Sequence, residues 1–66
     1  MQVSKKQCLE AGQEIVATMT EMYGFAEAEK QTVLLCDAIN GDGGTSDSTV
    51  WVAMGMVKAI LFKNKS

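Results

Sequence analysis

Residues 50–62 read VWVAMGMVKAILF, and whether this run is a strand or a helix decides the fold. Its opening, where β-branched Val50 and Val52 alternate with Trp51 and Ala53, has the composition of a strand. Its length argues the other way. Thirteen residues exceed the usual strand of about five or six, and Ala53, Met54, Met56, Lys58, Ala59 and Leu61 suit a helix better. The chain also offers no second strand to pair with it. As a helix the run spans about 20 Å, short of the roughly 30 Å of a bilayer core, so it is not expected to cross a membrane.

Upstream lies the polar stretch NGDGGTSDST, residues 40–49. Asn40-Gly41 is expected to stop the preceding helix, because both residues accept positive φ. Gly43-Gly44 gives the chain freedom to reverse, and Ser46 or Asp47 is the N-cap of the next helix. The stretch also invites comparison with a calcium-binding EF-hand loop, which needs oxygen ligands at positions 1, 3, 5 and 12 and glycine at 6. With Asn40 at position 3, Asp42 and Gly43 fit positions 5 and 6, but positions 1 and 12 become Ala38 and Thr49, and two strong ligands are missing. A phosphate loop fails too, since the stretch lacks the required lysine and carries two aspartates.

Before this loop, AEAEKQTVLLCDAI carries Glu27 and Glu29 at its start, opposing the positive end of a helix dipole. Ala28, Thr32, Leu35, Cys36 and Ile39 are its inward positions, and Val33 and Leu34 widen the apolar face. At the other end of the chain, Ser4 and Gln7 form a capping box, with Val3 and Cys8 placed for a hydrophobic staple. From there Cys8, Gly12, Ile15, Met19 and Met22 recur at helical spacing beside Leu9, Val16 and Tyr23. Gly24 ends this helix, with Phe25 folding back on Met19 or Thr20 in the Schellman manner. The reading is an all-α, compact three-helix unit, a helix hairpin plus a third, strongly apolar helix. The helices cover about 4–23, 26–40 and 47–63 of one domain, 1–66.

A chain of 66 residues lies below the roughly 70–80 at which one core suffices for comfortable stability. Help from zinc is not expected: there is no histidine, and Cys8 and Cys36 alone are half a tetrahedral site. No cofactor is expected. The absence of histidine also excludes Ser-His and Cys-His nucleophile pairs. Glu10, Glu14, Glu21, Glu27 and Glu29 fall at solvent-facing helix positions, so acid–base catalysis would need a pocket this chain can hardly enclose. Cys8 and Cys36 read as small buried hydrophobes, with a reversible disulfide as the alternative.

Association is therefore the expected source of stability. The third segment is apolar around nearly all its circumference: Val50, Met54, Val57 and Leu61 form one line, and Trp51, Val52, Met56, Ile60 and Phe62 form others. Two preceding helices cover one side, and the other is a candidate interface. Gly55 and Ala59, four apart, would let a further helix approach closely. The candidate interface residues are Val50, Trp51, Met54, Met56, Val57, Ile60 and Leu61, with Trp51 foremost because tryptophan is enriched among residues that dominate binding. The competing reading is that these side chains simply fill the core of a small monomer.

A net charge of −2 and a pI near 4.8 argue against a grip on nucleic-acid phosphates. A helix-turn-helix is disfavoured because the loop is long and the third helix lacks polar base readers. The N-terminal lysines precede no apolar stretch of the secretory type, so a cytoplasmic setting is expected. The functional expectation is a non-enzymatic protein–protein interaction protein, an adaptor, regulator or inhibitor. It would self-associate through helix 3, as a homodimer most simply, and bind an unidentified protein partner. Its size and acidity are common among phage and mobile-element accessory proteins. Two alternatives stand: an ion- or ligand-binding module using the 40–49 loop, and a small nucleic-acid-associated regulator whose dimer collects Lys5, Lys6, Lys58, Lys63 and Lys65 on one face.

Overall fold

Ser4 starts the first helix as its sequence dictates. In the computed structural model, which describes residues 4–41, 43 and 45–65, its Oγ accepts from the Gln7 backbone N–H at 3.1 Å. The Ser4 N–H donates in return to Gln7 Oε1 at 3.3 Å. The capping box thus satisfies two N–H groups that the helix leaves unpaired. Cys8, the inner half of the expected staple, is buried; Val3 lies outside the described residues.

Helix α1 runs Lys5–Tyr23 and buries Cys8, Gly12 and Val16, a row with a spacing of four. The expected stripe holds at Cys8, Gly12 and Met19 and fails at Ile15 and Met22. Ile15, Met22 and Tyr23 are exposed, while Val16 and Met19 turn inward. The stripe shifts because the row through Gly12 faces α3, and the neighbouring row is left outside.

Gly24 joins α1 to α2 in a single residue. Its N–H donates to the Thr20 carbonyl at 2.9 Å, and its own carbonyl accepts from the Ala28 N–H at 3.2 Å, so it closes one helix and opens the next. Helix α2 accordingly begins at Phe25, without the short gap expected from sequence, and runs Phe25–Gly41. The joint is not the left-handed Schellman cap either: Gly24 has φ 96° and ψ 158°, a region essentially reserved for glycine. Phe25 and Met19 both pack against the core.

In α2, Glu27 sits in the first turn and accepts from Gln31 Nε2 at 3.1 Å. Ala28 and Thr32 are buried, and the Thr32 hydroxyl is satisfied by the Ala28 carbonyl at 2.8 Å. Leu35, Cys36 and Ile39 are half-buried as expected, whereas Val33 and Leu34 face outward. Asn40 and Gly41 are not a positive-φ stop: both belong to the helix, and Gly24 is the only described residue with positive φ. Glycine permits that conformation without demanding it.

The two glycines therefore predict opposite responses to alanine. Among the described residues a Cβ would meet nothing within 4 Å at either Gly24 or Gly41, so backbone conformation decides. Gly24→Ala should cost about 1–3 kcal/mol. Gly41→Ala should stabilise by about 0.4–1 kcal/mol, by narrowing the unfolded ensemble and favouring helix. Thermal melts followed by circular dichroism read both. Destabilisation by Gly41→Ala would restore the stop expected from the sequence.

After the loop, Ser46 is the N-cap of α3. Its carbonyl accepts from the Val50 N–H at 3.2 Å, and its hydroxyl lies 3.0 Å from that of Thr49. Helix α3 runs Asp47–Lys65, and the described residues contain no strand. It lies parallel to α1: Thr49 and Val52 sit beside Cys8, Gly12 beside Val52 and Met56, and Thr20 beside Phe62. It lies antiparallel to α2, with Ile39 near Val50 and Thr32 near Ile60. The core cluster is Val16, Ala28, Met56 and Ile60, flanked by Met19, Phe25, Leu35, Val52 and Ala59.

The α1–α3 contact is backbone to backbone. A Cβ on Gly12 would fall on the Val52 carbonyl oxygen, and one on Gly55 would fall on the Leu9 carbonyl oxygen. Gly55 therefore does admit a closely approaching helix, but that helix is the chain's own α1. With α3 drawn so tightly to α1, its contact with α2 is much less extensive. The residues of that looser side form the surface described next.

Candidate interaction surface

Between α2 and α3 the helices leave an open groove in two halves. One half, a hollow of about 600 Å³, takes Val50, Ala53 and Met54 from α3 and Ile39 from α2, and it extends to Leu9 at the start of α1. The other, of about 520 Å³, takes Val33 and Leu34 from α2 and touches Ile60 at its floor. Cys36, Val57 and Leu61 line both halves. They form the centre of one continuous apolar surface.

Five of the seven expected interface residues line the groove, Ile60 only at its floor. Val50, Met54, Val57 and Leu61 are a single row of α3, spaced four, three and four apart, and the structure directs that row into the groove. Met56 and Ile60 are buried in the core at 4% and 7% exposure, and of the two only Ile60 reaches the groove, at its floor. Their apolar character is used by the chain's own core, so they offer little at a protomer surface. Trp51 is half-buried and lines neither half of the groove.

The sequence reading placed its candidate interface on α3 alone, whereas the groove is also lined by Leu9, Cys36 and Ile39. The signal existed in α2, where Val33 and Leu34 widen the apolar face beyond what one core contact needs. Which helix they would share a groove with depends on packing that no local pattern encodes.

The rim of the groove is charged unevenly. Lys5 and Lys58 flank the half nearer α1, which among the described residues has no acidic side chain in its lining. Glu29 and Asp37 flank the other half, together with Lys30. All five are exposed, so their effect on a partner would come from Coulomb attraction across a drying interface rather than from preformed pairs.

A separate hollow of about 480 Å³ lies between α1 and the C-terminal part of α3, lined by Val16, Thr20, Ala59, Phe62 and Lys63 among others. The Thr20 hydroxyl beside it is buried without a hydrogen-bond partner. Within one protomer Lys63 lines this hollow, Lys5 lines the groove, and Lys58 lines both.

Other candidate chemistry is thinly furnished. Cys8 and Cys36 are both free thiols, Cys8 buried beside the first turn of α3 and Cys36 in the groove. No group of three or more Cys, Asp or Glu among the described residues is placed to hold a metal. Asp42 and Gly44 of the loop lie outside those residues. Glu10, Glu14, Glu21 and Glu29 are exposed, and Glu27 is half-buried. No described helix is long and apolar enough to cross a membrane.

The sequence matches no protein-family model and no curated protein, and the structure matches no solved structure.

Proposed function

We propose that this chain is a non-enzymatic interaction protein that self-associates through the α2–α3 groove and acts by occupying a surface of another protein. The observation that carries this reading is the row Val50, Met54, Val57 and Leu61, with Met54 and Leu61 exposed and Val50 and Val57 half-buried, which lies opposite Cys36 and Ile39 of α2. Contiguous apolar surface of this kind costs free energy in water and is a mark of interaction sites.

The area supports it. A folded chain of 7.1 kDa exposes about 4,100 Å², whereas this one exposes 4809 Å². The excess is in the direction expected of a chain with apolar surface left to cover. A second copy is the simplest source of that cover, because a two-fold pairing needs only one self-complementary patch. The reading uses Val50, Met54, Val57 and Leu61 as interface residues and leaves Trp51, Met56 and Ile60 to the protomer.

Sedimentation velocity across a concentration series is the test. The expected result is a concentration-dependent dimer. A strict monomer up to high micromolar concentration would remove self-association and leave only a groove for a different protein.

A further inference from the structure

We infer that two copies pair groove to groove about a two-fold axis through Cys36, Val57 and Leu61, with the lysine-flanked half of each copy lying on the acidic half of the other. This rests on the self-association proposed above and adds its geometry. The argument begins with the shared residues. Cys36, Val57 and Leu61 line both halves, so they mark the middle of the surface. Any two-fold axis that uses the whole groove must pass near them.

An axis that crosses the groove exchanges the halves; one that runs along it does not. With the crossing axis, Lys5 and Lys58 of one copy face Glu29 and Asp37 of its partner, and the same pairing repeats on the other side of the axis. Aligning the grooves without exchange would set lysines against lysines, which costs free energy at a desolvated contact. The charge distribution therefore selects one of the two ways of stacking the apolar surface. Lys58 and Asp37 are the informative pair, since each is the chain neighbour of a central residue, Val57 and Cys36. Lys30 on the acidic half reduces its excess of negative charge to one, so the selection is modest and the apolar centre carries most of the affinity.

Residues on a two-fold axis meet their own copies. The two Cys36 thiols are thus expected close together across the interface, and they report on it without any substitution. A short bis-maleimide adds one thiol across each of its two double bonds, so it joins two chains only when their thiols are near. Treating the dimer should yield a covalent dimer from the wild-type chain and none from Cys36→Ser.

Charge exchange supplies the second arm. Lys58→Glu and Asp37→Lys should each weaken the dimer about tenfold, because each turns two symmetry-related attractions into repulsions. The double variant Lys58→Glu/Asp37→Lys should return to within about threefold of the wild type. Both positions are exposed in the protomer, so folding is preserved, and circular dichroism checks it. A protein that still dimerises but gives no Cys36-dependent cross-link, or whose double variant is weakened by the sum of the single effects, overturns this arrangement while leaving self-association intact. A protein that is monomeric overturns both.

Discussion

Gly12→Ala is expected to leave the protein largely unfolded at room temperature, even though the substitution replaces a poor helix former by the best one. In an exposed helix the exchange would gain about 1 kcal/mol. Here the new Cβ would fall on the Val52 carbonyl oxygen, and it would lie 2.8 Å from the Met56 amide nitrogen and 3.0 Å from the Gly55 carbonyl carbon. All three are backbone atoms of α3. No rotamer change removes the overlap, so the helices must move apart. Ordinary overpacking, relieved by side-chain shifts, costs about 1–3 kcal/mol. Parting α1 from α3 costs more, because it also loosens Val16 against Met56 and Ile60, three of the four residues of the small core cluster. A domain of this size rarely holds more than about 3–5 kcal/mol in total. Urea titration followed by circular dichroism should therefore show a midpoint near zero denaturant. Gly55→Ala meets the Leu9 carbonyl in the same way and should behave alike. The double variant should cost much less than the sum, since one displacement relieves both collisions. A wild-type midpoint for either single variant would mean that the two backbones are not in contact.

The same contact shows where a sequence can and cannot be read. The capping box at Ser4, the break at Gly24 and the helical reading of residues 50–62 were all legible, because each depends on residues within a few positions of one another. Gly55 was legible as a place where a backbone comes near, since a residue without a side chain in an apolar run needs a reason. The identity of the approaching helix was not, because Gly12 appeared only as one member of a stripe. Its counterpart role needs the parallel placement of α1 and α3, a fact of tertiary packing. Ile15 and Met22 were assigned to the core for the same reason: periodicity locates an apolar arc, and the neighbouring helices decide which edge of it they cover. On α3 the row Val50, Met54, Val57 and Leu61 was visible as a row. That it faces out rather than in could not be separated from the opposite choice, in which Met56 and Ile60 face out, until α1 was seen to occupy the side of Gly55.

Leu61→Glu should raise the dissociation constant of the self-associated form by about a hundredfold to a thousandfold while leaving the protomer folded. Leu61 is 56% exposed, and surface exchanges of this kind usually change stability by no more than about 0.5 kcal/mol. Glutamate is also a good helix former, so the protomer's circular dichroism should not change. The interface is different. Leu61 lines both halves of the groove, and at the centre of a two-fold contact each new carboxylate would be desolvated and would face its own copy. Like-charge juxtaposition at an interface costs several kcal/mol, and each 1.4 kcal/mol is tenfold in affinity. The telling comparison is Phe62→Glu, one residue further on. Phe62 is more exposed, at 77%, and larger, yet it lines the hollow against Val16 and Thr20 on the α1 side. If exposed apolar area alone drove association, Phe62→Glu would be the more damaging change. If the α2–α3 groove is the surface that drives it, sedimentation should show Phe62→Glu still dimeric and Leu61→Glu monomeric at equal concentration, and the reverse order would move the interface to the other face of α3.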